Sequence, residues 1–296
     1  MHSDVPFAVW SRERQQRIEG VLAEALSSKA MPAPHRLAEA MRYAVLGAGK
    51  RVRALLAYAA AEAVGADADD VDAAAAAVEL VHAYSLIHDD LPCMDDDTVR
   101  RGKPSCHVAF GEATALLAGD ALQARAFALI GQSRLDHCEG ACVLLADAAG
   151  ASGMAGGQAI DLDATGGSLD LSELTAMHRM KTGAMIRASV RLGALASKRR
   201  SMDDDAALEA YATAIGLAFQ IVDDILDVEG TSASIGKTAG KDAANDKPTF
   251  VSLLGAAEAR KRAETLGRDA QSAIAPFGER ARRLAELADW IVLRKN

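Results

Sequence analysis

At 296 residues, half of them hydrophobic (50%) and a quarter charged (25%), the chain has the composition of a packed globular protein and not of a disordered one. A net charge of −8 argues against a nucleic-acid binder, which needs a basic surface. No apolar run approaches the roughly 18–20 residues of a membrane span, and Met1-His2-Ser3-Asp4 lacks the charged-then-apolar pattern of a signal peptide, so a soluble cytoplasmic protein is expected.

Aromatic residues make up only 4% and alanine is abundant, which favours helices over a β-rich fold. Phe7–Ala30 reads as a first helix, stopped by Pro32 and Pro34. His35–Leu46 follows and ends at Gly47 and Gly49; the alanine-rich Val52–Val64 stops at Gly65. Val71–His88 is strongly helical and runs directly into Asp89-Asp90. Further helices are expected at Ala113–Ile130, Cys138–Ser152, Leu171–Ala196, Asp203–Val228, Ala256–Ala275 and Glu279–Leu293. Ser201 with Asp204 three residues on resembles a capping box that opens the Asp203–Val228 helix. No sustained alternation of period two occurs, so no sheet is expected. No low-complexity linker divides the chain. The reading is all-α: ten or more helices in a single domain, 1–296.

Two aspartate clusters stand out: Asp89-Asp90-Leu91-Pro92-Cys93-Met94-Asp95, and Asp223-Asp224-Ile225-Leu226-Asp227. Each ends an apolar helical stretch, Val78–Ile87 and Ile215–Val222. Carboxylates placed where a chain tends to bury itself are costly unless a positive charge compensates them. A hard divalent cation, which takes oxygen ligands and often bridges to phosphate, is the natural compensator. Asp223 and Asp227 are four apart, about 40° around a helix, so both project from one face with Asp224 to the side. Pro92 disfavours helix at Leu91, which lets Asp89 and Asp95 converge. The two clusters could reflect a duplicated helical unit or only a shared chemical demand. The runs at Asp69-Asp70 and Asp203–Asp205 read as solvated faces.

Basic residues lie nearby. Arg100-Arg101-Gly102-Lys103 follows Asp95 by five residues, within reach of phosphate oxygens. Gly49-Lys50-Arg51-Val52-Arg53 sits at a predicted helix start, where free N–H groups favour anions. Glu229–Thr249 carries Gly230, Gly236, Gly240, Lys237, Lys241 and Lys247, a composition suited to a loop that closes over phosphate. Gly156-Gly157-Gln158 with Asp161 suggests a close helix approach with a polar lining, and Gln220 lies on nearly the same face as Asp223. Cys93, Cys106, Cys138 and Cys142 do not make a zinc set and read as reduced thiols. There is no Ser-His-Asp set, phosphate loop or dinucleotide fingerprint. The implied chemistry is electrophilic: metal ions draw on a diphosphate leaving group while an apolar cavity holds a hydrocarbon.

With these motifs in order, and with Asp96-Asp97-Thr98-Val99, Pro104, Gly119-Asp120, Lys181-Thr182-Gly183 and Phe219-Gln220 beside them, nearly the whole chain resembles the short-chain trans-isoprenyl diphosphate synthase family, most of all its bacterial farnesyl-forming members. The resemblance implies helices around a deep central cavity, a homodimer, and three Mg²⁺ ions. It implies that Asp89, Asp90 and Asp95 would serve the metals from one wall and Asp223, Asp224 and Asp227 from the other. Arg100, Lys181, Gln220, Lys237 and Lys247 would hold the allylic diphosphate, and Thr182 would stabilise the forming carbocation. Lys50, Arg53, His82 and Arg101 would bind isopentenyl diphosphate, with the tail Arg294-Lys295 closing over it. The departing pyrophosphate would act as base.

In similar enzymes an aromatic residue five positions before the first aspartate caps the tunnel at fifteen carbons; here that residue is Tyr84, followed by Ser85. The implied product from dimethylallyl and geranyl diphosphate is therefore farnesyl diphosphate. A geranylgeranyl or other short-chain synthase is the near alternative. A terpene cyclase is disfavoured by the aspartate-rich second motif, and a non-catalytic helical subunit by the intact set of aspartates and arginines.

Overall fold

The computed structural model describes residues 5–47, 49–229 and 248–294. Its helices, in chain order, are α1 Phe7–Ala25, α2 His35–Val45, α3 Val52–Ala63, α4 Ala68–Asp89, α5 Cys106–Phe110, α6 Glu112–Gly131 and α7 Cys138–Ala149. They continue with α8 Met154–Asp163, α9 Leu171–His178, α10 Ala184–Ala194, α11 Met202–Glu229, α12 Phe250–Leu254, α13 Ala256–Ile274 and α14 Arg282–Leu293. The all-α expectation holds.

Helix α3 shows why alanine dominates the composition. Leu55, Leu56 and Tyr58 are buried there together with six alanines, so hardly any face of the helix meets solvent. A helix that is apolar all round belongs in the centre of a fold. It packs against α4 and α10, and small side chains let these axes approach closely. At Gly193 of α10 a Cβ would lie 2.1 Å from the Ala57 carbonyl oxygen. A second, smaller core joins α9, α11, α12 and α13 through Leu174, Ile221, Ile225 and Phe250, directly beneath the second aspartate cluster.

The structure corrects several expected boundaries. α1 ends at Ala25, not Ala30; the Ser27 hydroxyl accepts the Ala30 N–H (3.2 Å) and closes a turn there. Leu171–Ala196 is not one α-helix, because Arg179–Gly183 forms a π-helical turn between α9 and α10. The last helix starts at Arg282, not Glu279, after a 3₁₀ stretch, Ala275–Ala281, with Pro near its start and Gly278 at φ +57°. The helices α5, α8 and α12, of five to ten residues, were not foreseen.

A two-stranded hairpin, β1 Val99–Arg100 with β2 Lys103–Pro104, corrects the expectation of no strand. Two residues per strand are too few to show a period. Its turn, Arg101-Gly102, has positive φ at both positions (54° and 73°), as a hairpin turn of the I′ type requires. The capping box is borne out: Ser201 N–H donates to Asp204 Oδ2 (2.8 Å) and Asp204 N–H to the Ser201 hydroxyl (3.1 Å).

One described helix, α6, has the length and hydropathy of a membrane span, against the expectation that no run approaches one. It carries Asp120 and Arg125 and packs on α4.

Candidate active site

The end of α4, the hairpin, α8, the π-helical turn and the middle of α11 surround a cavity of about 600 Å³. Of the residues singled out from sequence, Arg53, His82, Tyr84, Ser85, Asp89, Asp95, Arg100, Lys181, Thr182, Gln220, Asp223 and Asp224 line it. Lys50, Asp90, Arg101 and Asp227 do not. Lys237, Lys247 and Lys295 lie outside the described residues, as does most of the 229–249 loop.

The first cluster is shaped by backbone hydrogen bonds. Asp95 N–H donates to the Asp89 carbonyl (2.9 Å), Asp96 N–H to Leu91 (3.1 Å) and Asp97 N–H to Asp90 (3.2 Å), with Asp96 at φ +49°. This folds the chain back on α4, so that Asp89 and Asp95 both face the cavity. Asp90 turns the other way. It is 2% exposed and grips Arg100 through both oxygens, with Arg100 Nε donating to Oδ1 at 2.9 Å and to Oδ2 at 3.3 Å. Asp97 accepts a further Arg100 bond at 3.3 Å. Asp90 thus positions the arginine.

On α11 the expected face is rotated by one residue. Asp224, not Asp227, joins Asp223 on the cavity wall, although both Asp224 and Asp227 are buried. The reason is a local chain of bonds: Thr182 Oγ1 donates to Gln220 Oε1 (3.0 Å), Gln220 Nε2 to Asp224 Oδ1 (2.9 Å), and the Phe250 N–H to Asp224 Oδ2 (2.8 Å). Asp224 thereby receives a free N–H at the start of α12. Asp223 meets Arg294, whose Nη2 donates to Asp223 Oδ1 (2.5 Å) and to the Phe219 carbonyl (2.9 Å). The guanidinium lies 4.0 Å over the Phe219 ring. Arg294 thus reaches the second aspartate cluster.

Lys181 and Thr182 are delivered by the π-helical turn. Lys181 Nζ donates to the buried Asp161 (2.6 Å). The backbone of Lys181 rests on Gly157, where a Cβ would lie 2.2 Å from its nitrogen. Gly157 is therefore a steric requirement of this wall. On the opposite side, Tyr84 stacks edge-on to His88 (5.7 Å between centroids), and a His88 ring nitrogen lies 3.0 Å from the Leu116 carbonyl oxygen. Gly119 makes room: a Cβ there would lie 2.1 Å from His88 Nε2.

Among the described residues no three His, Cys, Asp or Glu side chains form a ready metal cage. The donor set fits a hard divalent ion nonetheless, because such an ion keeps several waters and takes one or two carboxylates plus substrate oxygens. Asp89 points the same way. Burial pushes its carboxyl up to about 6; the Lys181 charge opposes this and Asp95 adds to it. A divalent cation bound beside it would lower that cost.

Gln158 and Asp161 supply the polar lining expected after Gly157, whereas His178 was given no role from sequence. His178 lies three residues before Lys181, and spacing on a helix face was the available signal. Burial, and then the Lys181 charge, push His178 down to about 3. The unfolded chain, with an ordinary value near 6.5, therefore binds more protons between pH 6.5 and 3, and His178 makes the fold less stable as pH falls through that window. We expect acidification from pH 7 to 4.5 to lower wild-type stability by about 2 kcal/mol more than that of His178→Phe. Urea midpoints of both proteins at the two pH values measure this, and equal losses would contradict it.

A family model described as polyprenyl synthetase matches residues 34–275. The farnesyl diphosphate synthase of Escherichia coli is 47% identical over 284 residues, covering 92% of this chain and 95% of that protein. The chloroplastic geranylgeranyl pyrophosphate synthase of Capsicum annuum is 44% identical over 296 residues, covering 98% and 79%. A geranyltransferase from Helicobacter pylori, solved with magnesium and isoprenyl diphosphate, superposes with a TM-score of 0.85 at 32% identity, covering 98% of this chain and 97% of that one.

Proposed function

This chain belongs to the polyprenyl synthetase family, and from that premise we propose that it condenses isopentenyl diphosphate with dimethylallyl and then geranyl diphosphate. The products are farnesyl diphosphate and pyrophosphate. The observation that carries the reading is the single cavity that brings Asp89, Asp95, Arg100, Lys181, Thr182, Gln220 and Asp223 together. Lys181 and Arg100 hold the allylic diphosphate, each set by its own buried carboxylate, Asp161 or Asp90. The Thr182 hydroxyl, tied to Gln220, borders the place where the carbocation develops. Arg53 and His82 line the same cavity and face the second diphosphate, with Lys50 and Arg101 behind them. Asp89, Asp95 and Asp223 would hold Mg²⁺, three ions in the full site, which would supply Lewis-acid charge to the diphosphate oxygens. Among the described residues no side chain is set apart as a base for the final deprotonation, which suits removal of the proton by the departing pyrophosphate.

We further propose that the whole chain acts as one domain and that the enzyme works as a cytoplasmic homodimer. The support for a dimer is the exposure of Val108 on α5, Leu116 and Leu117 on α6 and Val143 on α7, elements that pack on one another. Apolar exposure on adjoining elements suits a contact surface.

Relatives at 47% and 44% identity carry different product names, so identity does not decide product length. Tyr84 is the feature that favours fifteen carbons. It lines the cavity, and His88 braces it against α6. Removing its ring adds about one turn of depth, roughly 5.4 Å, comparable to one isoprene unit. With Mg²⁺ and labelled isopentenyl diphosphate, wild type is expected to give mainly C15 product, and Tyr84→Ala mainly C20 or longer. A mainly C20 wild-type product would favour the geranylgeranyl alternative, and an unchanged C15 product in the variant would remove Tyr84 as the stop.

A further inference from the structure

The turn that carries Lys50 and Arg53 is built around a residue with no role so far, Arg51. It sits in the left-handed region at φ +52°, just after Gly49 at +98°. A non-glycine residue held there costs on the order of 1 kcal/mol. Arg51 is also 3% exposed, so its charge needs partners. It has three: Nε donates to Glu19 Oε1 (2.8 Å), Nη1 to Glu79 Oε2 (3.2 Å), and Nη2 to the Val45 carbonyl.

Glu79 is the centre of this arrangement. It is 2% exposed on α4, one turn before His82, and does not line the cavity. One oxygen holds Arg51 and the other accepts the Ala54 N–H (3.1 Å) in the first turn of α3. A single carboxylate therefore fixes the chain at Arg51 and at Ala54, on both sides of Arg53. Lys50 immediately precedes Arg51, with its carbonyl held by Gln15 Nε2 (2.9 Å). Arg53 lies between Arg51 and Ala54 and lines the cavity. The Arg101 guanidinium packs 3.2 Å from where a Cβ of Gly49 would stand. Burial works against the charge of both Arg53 and Arg101, and at each of them Glu79 is the carboxylate that most opposes that effect.

We propose that Glu79 is a positioning residue for the homoallylic subsite. Through Arg51 and the first turn of α3 it aims Lys50 and Arg53 at the diphosphate of isopentenyl diphosphate without touching it. This rests on the prenyltransferase reading above.

Two variants test it. Glu79→Gln keeps the shape and loses the charge; the double variant Glu79→Leu with Arg51→Met removes both buried charges, a replacement that buried pairs often tolerate. Steady-state kinetics with Mg²⁺ should show KM for isopentenyl diphosphate raised at least tenfold in both. KM for geranyl diphosphate and kcat should stay within threefold, and the double variant should melt within a few degrees of wild type. Calorimetry should show isopentenyl diphosphate binding to wild type and at least tenfold weaker binding to each variant. An unchanged KM for isopentenyl diphosphate in a natively melting double variant overturns the proposal. So does an equal loss towards both substrates, which would mark a merely structural pair. A wild type that binds and consumes neither diphosphate would instead refute the functional reading.

Discussion

Replacing Asp89 with alanine is expected to lower turnover by roughly a thousandfold, about 4 kcal/mol of transition-state stabilisation. The carboxylate lies at the cavity wall at the end of α4, beside Asp95 and within the field of Lys181. On the proposed reading, the charge that draws on the leaving diphosphate would then lose one of its anchors. The fold should not suffer. Because burial raises Asp89 from about 3.8 to about 6, the ionised form destabilises the metal-free fold. The sign follows from proton binding: the folded state holds more protons between pH 4 and 6, so stability falls as pH rises through that window. The full cost is present above it. At pH 8 the metal-free Asp89→Ala protein should therefore melt no lower than wild type. Turnover within tenfold of wild type would refute the metal assignment, and a melting temperature lowered by many degrees at pH 8 would refute the account of the burial.

Gly157→Ala is expected to cost nearly as much from a single methyl group. In an exposed helix this change stabilises by up to about 1 kcal/mol. Here the new Cβ would stand 2.2 Å from Lys181 N and 2.6 Å from Lys181 Cα, and backbone atoms cannot swing aside as a flexible side chain can. Ordinary contact requires α8 and the π-helical turn to part by about 1 Å, and a misplacement of that size can cost about a hundredfold in rate. Overpacking of this kind also lowers stability by roughly 1–3 kcal/mol. The expected result is a hundredfold fall in kcat with a lowered melting temperature. An enzyme with activity within threefold of wild type, or with a raised melting temperature, would show that the two walls are not held at this distance.

Much of this arrangement is legible in the sequence alone. Alanine-rich segments without proline predict helices, and apolar helices that run into Asp89 and Asp223 predict a charged site at the mouth of a core, because burial and charge conflict locally and visibly. The Ser201–Asp204 box is likewise a four-residue pattern. What sequence could not reveal depends on contacts between distant residues. Arg294 reaches Asp223 across 71 positions, and Glu79 reaches Ala54 across 25. Helical spacing paired Asp223 with Asp227, yet the Phe250 N–H, 26 residues on, drew Asp224 to the wall. The hairpin at Val99–Pro104 is too short for any period to register, and the helix α8 is too short to be separated from the turns beside it.

The π-helical turn at Arg179–Gly183 has one more consequence. Such a turn amounts to one amino acid inserted into a helix, so the stretches before and after it are out of phase by about 100° relative to an unbroken helix. The Lys181-Thr182 pair owes its orientation to that extra residue. Loss of one residue within Arg179–Gly183 would let the segment close into a smooth α-helix with the core residues of α9 and α10 all still present. It would then rotate one part of the wall away from its partners. At this wall, residue count is as much a determinant of chemistry as residue identity.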